Sequence, residues 1–109
     1  MKMITLVLAL MTGATGNASA QGLCIDGHPA PRRSHVTYGG LTPRHGFERD
    51  HCRPLGLGGA DDAGNVRYEP LAEAHLKDAD ERTAIENFCS GIWSLAQARE
   101  WLAQRWPCR

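Results

Sequence analysis

Residues 47–69 read "FERDHCRPLGLGGADDAGNVRYE". The first seven, Phe47 to Arg53, suit a short strand that Pro54 must end, because proline has no N–H to give to a ladder. The next eleven are loop chemistry, with four glycines, two aspartates and an asparagine between Leu55 and Asn65. Val66 to Glu69 read as a second short strand. Two strands joined by a long loop predict a hairpin. Pro70 then stops the second strand and opens a helix over Leu71–Cys89, where Ile85, Phe88 and Cys89 recur at helical spacing and Ser90-Gly91 provide a stop. Its first turns have a poor apolar pattern, which leaves that face for polar work. A second helix starts at Ser94, since Ser94 and Gln97 form a capping-box pair, and Leu95, Ala98, Trp101 and Leu102 give it one apolar face. The order strand, loop, strand, helix, helix predicts an α+β fold.

The flanks bound the biology. Residues 1–20 combine Lys2, an apolar run over residues 3–11 and the small-residue site Ala18-Ser19-Ala20, the layout of a cleaved secretory signal. That run is too short for a stable membrane span. Export, to the periplasm or beyond the cell, is expected, with no membrane association of the mature chain, which should be a monomer. Four cysteines, Cys24, Cys52, Cys89 and Cys108, in so short an exported chain read as two disulfides, and no C-x-x-C pair is present to start a structural zinc site. Loss of Lys2 leaves 11 basic residues against 12 acidic, so bulk attraction to nucleic acid is excluded as the main binding force. The arm at residues 21–46, rich in Gly and Pro, reads as mostly irregular. It carries Arg32, Arg33 and Arg44 with His28, His35 and His45 and has no acid from Gly27 to Phe47. Taken alone this is a solvated loop; beside a nuclease site it becomes a phosphate-contacting arm.

Asp50 and His51 end the first strand, Asn65 opens the second, and His75 lies early on the helix. This order, with "ERDHCRPLGLGG", "GNV" and "AHLKD" as the matching text, resembles the HNH endonuclease superfamily, in particular its small exported bacterial members. "CSG" at residues 89–91 and "SLAQA" at residues 94–98 extend the resemblance more loosely. It implies a ββα-metal core over residues 47–91, with residues 92–109 forming a helix and tail packed on that core.

The resemblance also implies a chemistry. A phosphodiester repels nucleophiles and has a poor leaving group, so hydrolysis calls for a base and a cation. By resemblance His51 is the general base, Asp50 and His75 bind one divalent metal ion, and Asn65 braces the loop so that His51 stays aimed. Oxygen and nitrogen ligands suit Mg²⁺, Mn²⁺, Ni²⁺ or Zn²⁺ without choosing among them. The substrate is nucleic acid, DNA first and RNA second, and the products carry 5′-phosphates. Arg53 and Arg67 are candidate phosphate contacts. Lys77 is either a third or the i to i+4 partner of Glu81. Two departures stand out. Ala79 occupies the place where some colicin-type relatives add a metal ligand, and Cys52-Arg53 follow the Asp-His pair where many relatives carry aliphatic residues. Strand alternation sends Asp50 and His51 to opposite faces, so the resemblance requires a kink near Asp50.

The cysteines leave three pairings open by count alone. In the exported relatives Cys24 and Cys89 recur together, which implies Cys24–Cys89 and Cys52–Cys108. Cys52 is then a crosslink half. A cysteine hydrolase would need Cys52 and His51 to face each other, which adjacent strand residues do not do. The alternative to a nuclease is a disulfide-stapled metal- or nucleic-acid-binding module without catalysis.

Overall fold

The computed structural model describes residues 22–108; the expected signal segment lies outside them. In chain order, β1 (Cys24–Ile25) and β2 (His28–Pro29) form a minimal antiparallel pair, and β3 (Phe47–His51) pairs antiparallel with β4 (Val66–Pro70). Two helices follow, α1 (Leu71–Cys89) and α2 (Leu95–Arg105). The fold is α+β, with two separate two-stranded sheets. The arm is less irregular than its composition suggests: besides β1 and β2 it holds a 3-10 turn at Tyr38–Gly40.

β3 stops at His51, two residues before the expected end at Arg53. The cause is local. The Cys52 N–H still donates to the Asn65 carbonyl at 2.8 Å. Beyond it the Asn65 side chain takes over from the opposing backbone, accepting from the Arg53 N–H and donating to the Arg53 carbonyl, both at 2.9 Å. The loop returns through a tight stack. A Cβ at Gly59 would lie 1.9 Å from the Arg53 carbonyl oxygen, so only glycine lets the loop pass.

The apolar core sits at one end of the molecule. Leu57 from the hairpin loop, Ala84 of α1, and Ala98 and Leu102 of α2 are buried there, ringed by Phe88, Trp93, Trp101 and Trp106. Ser94 and Gln97 form the expected capping box at 3.1 and 2.8 Å, which fixes where α2 begins. Under the β3–β4 hairpin there is little apolar material, and a polar contact described below joins it to α1.

So small a core needs covalent help. Cys24 is bonded to Cys89, tying β1 to the end of α1, and Cys52 is bonded to Cys108, tying the end of β3 to the tail after α2. Both pairings match those implied by the resemblance. Structural disulfides belong to an oxidising compartment. No helix among the described residues is long and apolar enough to cross a membrane.

Loop closures spanning 65 and 56 residues each restrict the unfolded chain by about 4 kcal/mol on the chain-entropy model. The Cys52→Ser/Cys108→Ser double variant should therefore lose about 2–4 kcal/mol in urea unfolding. An unchanged midpoint would show that this crosslink does not hold the domain.

Candidate active site

The β3–β4 register runs without a bulge from Phe47 opposite Pro70 to His51 opposite Val66. Alternation therefore holds, and the kink required near Asp50 is absent. Asp50 and Arg67, which pair across the ladder, face α1. His51 faces the other side.

On that side the His51 ring is fixed from two directions. Its Nε2 lies 2.8 Å from Oδ1 of Asp61, and both side chains are largely buried, 11 and 7% exposed. Tyr38 stacks on the ring with centroids 5.1 Å apart. Asp61 is itself held: it accepts from the Thr37 N–H at 2.6 Å, the Thr37 hydroxyl at 3.0 Å and the Tyr38 N–H at 2.8 Å. The hydrogen bond with His51, then those from Thr37, keep the Asp61 carboxyl well below the usual carboxylate range. An ionised carboxylate only accepts, so Nε2 carries the proton of this bond, and the tautomer with a lone pair on Nδ1 is the neutral form that fits it. The turn that carries Thr37 and Tyr38 sits against the loop at Ala63. Gly39, at φ +62°, allows this approach, since a Cβ there would stand 2.4 Å from the Ala63 nitrogen.

Asn65 braces the base of the loop. Besides its two bonds to Arg53, it donates to the Ala60 carbonyl at 2.7 Å, so its amide spans the loop neck just after His51.

On the α1 side Asp50 is buried and ion-paired with the Lys77 ammonium. Lys77, 3% exposed, also donates to the His51 carbonyl at 2.9 Å and the Cys52 carbonyl at 3.3 Å. Glu81 stands 3.6 Å away, one turn along the helix. The expected i to i+4 partnership is thus present, but Asp50 is the primary partner and the ammonium has no route to an external phosphate. Burial raises Asp50 above its ordinary value, outweighing the opposing hydrogen bond and charge of Lys77. Burial likewise pushes Glu81 up to about 7, against the pull of Lys77 and with help from Asp50 and Asp78.

His75 is exposed on α1. It precedes Lys77 by two residues, about 200° around a helix, and its charge acts on Glu48, whose Oε2 is buried without a hydrogen-bond partner. Asp50 is engaged with Lys77, so a divalent ion at Asp50 would have to displace that ammonium from its carboxylate and carbonyl oxygens. Among the described residues no group of three or more His, Cys, Asp or Glu is placed to hold a metal ion; the implied site has two protein ligands, Asp50 and His75.

Arg53 is exposed, and its hydrogen bonds among the described residues are those of its main chain with the Asn65 amide, whereas Arg67 donates to its neighbour's carbonyl at 2.8 Å. From the arm, Arg32 opposes the rise that burial, followed by Asp78 and Asp50, gives the Glu48 carboxyl, and Arg44 stacks over Phe47 at 4.5 Å. Asp61 and Tyr38 were missed in the sequence. Asp61 stands beside Asp62 in a loop where either reads as a turn former, and only the fold separates them. The scan against family models gives no match, and the searches of the curated proteins and of the solved structures give none either.

Two outcomes follow from the buried charges. Removing one partner of the Asp50–Lys77 pair, as in Lys77→Ala, strands the other and should cost about 3–5 kcal/mol, seen as a large drop in melting temperature. For Glu81, a folded pKa above the ordinary 4.5 means that stability is fully present below about pH 4.5 and falls as pH rises through about 7. Glu81→Gln should remove that slope, so its melting temperature relative to wild type rises between pH 5 and 8. A pH-independent difference would show that Glu81 titrates normally.

Proposed function

We propose that this protein hydrolyses phosphodiester bonds of nucleic acid, DNA in the first place, as an exported endonuclease of the HNH type. The observation that carries the reading is the His51–Asp61 pair, set at the end of a hairpin strand and braced by Asn65. Nδ1 of His51 takes a proton from water, and the resulting hydroxide attacks phosphorus. The ring then bears a positive charge that Asp61 balances through Nε2–H, the usual task of a carboxylate behind a catalytic histidine. The bond to the 3′ oxygen breaks with its electron pair, and that oxygen takes a proton from solvent water, leaving a 3′-hydroxyl and a 5′-phosphate. Arg53, two residues beyond His51 and exposed, meets the phosphate charge. Lys77 acts indirectly, since it grips the His51 carbonyl and sets the backbone from which the imidazole projects. Asp50, already paired with Lys77, supplies no metal ligand in this arrangement.

That same engagement of Asp50 favours a second reading, a stapled nucleic-acid-binding module without catalysis. Cleavage of supercoiled plasmid separates the two. With the disulfide-bonded protein, assayed in EDTA and with each of Mg²⁺, Mn²⁺, Ni²⁺ and Zn²⁺, His51→Ala should lower cleavage by about 100-fold or more, the scale of general-base catalysis. Asp61→Asn should lower it as well, by spoiling the tautomer and the charge balance. Full activity in purified His51→Ala would overturn the nuclease reading, and DNA binding without cleavage by wild type would establish the module.

A further inference from the structure

A second polar feature lies beyond the His51 pair, on the far side of the Asn65 brace. A cleft of about 490 Å³ opens there, floored by the Cys52–Cys108 disulfide, Leu102 and Trp106, with Asn65 in its wall. Two guanidinium groups line it, Arg53 from the segment after β3 and Arg99 from α2. Among the described residues neither is ion-paired with a carboxylate. Arg99 is positioned by one bond, Nε to the Leu57 carbonyl at 2.8 Å, and this bond does not use its two terminal nitrogens. Asp62, the carboxylate on the rim, is turned back onto the Gly64 N–H at 3.1 Å.

Two guanidinium groups beside one cleft, neither bonded to the Asp62 carboxylate on its rim, form an unfavourable arrangement that an anion relieves. Burial, followed by repulsion from Arg53, pushes the Arg99 guanidinium down from its ordinary value. Guanidinium pairs match the oxygens of a phosphate, and an apolar floor beside them suits the sugar or base attached to it.

We infer that the Arg53–Arg99 cleft binds a phosphate of the nucleic-acid strand, adjacent to the one presented to His51. This rests on the nuclease reading for the identity of the strand, while the anion site itself rests on the two arginines. Arg53 then serves both positions, and Arg99 holds the strand against α2.

Binding tests this without relying on cleavage. The disulfide-bonded His51→Ala protein is titrated with a labelled single-stranded 12-nucleotide DNA, followed by fluorescence anisotropy at several salt concentrations. Arg53→Gln and Arg99→Gln should each weaken binding by about threefold to tenfold and lower the salt slope by about one. Arg82→Gln, which removes an exposed charge elsewhere on α1, should do neither. Near-UV circular dichroism checks that Arg99→Gln keeps the tryptophan cluster. If it does not, Arg99→Lys takes its place, because it keeps the charge and loses the guanidinium fork, and it should weaken binding as well. Inorganic phosphate provides a second arm: it should raise the melting temperature of wild type, less so of the arginine variants, and compete with the oligonucleotide. Unchanged affinity and slope in Arg53→Gln would overturn the inference, as would an equal loss in Arg82→Gln, which would mark a bulk charge effect. Phosphate binding without oligonucleotide competition would sink the assignment to a strand. If His51→Ala still cleaves while the arginine variants bind weakly, the base assignment fails and the cleft stands.

Discussion

The contact on which the architecture depends is the buried pair of Lys77 and Asp50. It fixes the strand end of the β3–β4 hairpin on α1, whereas the apolar cluster of Leu57, Ala84, Ala98 and Leu102 holds the hairpin by its loop and the Cys52–Cys108 bridge ties it to the tail. A lone buried ammonium or carboxylate is costly, and the pair is tolerable because the ammonium is surrounded by oxygen: one carboxylate, two strand-end carbonyls and the more distant Glu81. Such a contact is directional in a way that apolar packing is not. It specifies where β3 ends relative to the helix, and His51 is the residue at that end. Glu81, with its raised pKa, keeps the cluster from holding two full negative charges near neutral pH.

Most of the scaffold could be read from the chain because local chemistry dictates it. Pro70 ends a strand and opens a helix, Ser94 with Gln97 starts the next, and the loop glycines permit backbone approaches that no other residue allows. The site was less legible. His51 and Asn65 stand out because their neighbours have no structural use for them. Asp61 does not, because its role depends on a turn more than twenty residues earlier in the chain folding back to present the Thr37 and Tyr38 amides. Lys77 illustrates the opposite error. From the chain it reads as a phosphate contact or as the i to i+4 partner of Glu81, yet it follows buried Ala74 by three positions and precedes buried Ala84 by seven, so it shares their inward stripe. The kink required near Asp50 was accepted from likeness alone, and the unbroken ladder does not contain it.

Charge is arranged rather than accumulated. With net charge near zero, the molecule mixes its signs on both sides of the hairpin. On the side of α1, Glu48 and Glu69 each feel the charge of Asp50, and Arg67 and Lys77 stand with them. On the opposite side the aromatic rings carry cations, Arg49 over Tyr38 at 4.3 Å and Arg44 over Phe47 and Tyr68, beside the Asp61 carboxylate. A polyanion approaching the hairpin would not meet the salt-sensitive pull of a uniformly basic surface.

The two crosslinks interleave along the chain, with Cys52 lying between Cys24 and Cys89, and Cys108 beyond both. Neither ring encloses the other, so only a piece that runs from Cys24 through Cys108 can close both. Synthesis of Cys108 is therefore the earliest moment at which both crosslinks can be completed. A nascent or clipped chain stays half-bolted, and the strand bearing the imidazole is the part left unpinned until then.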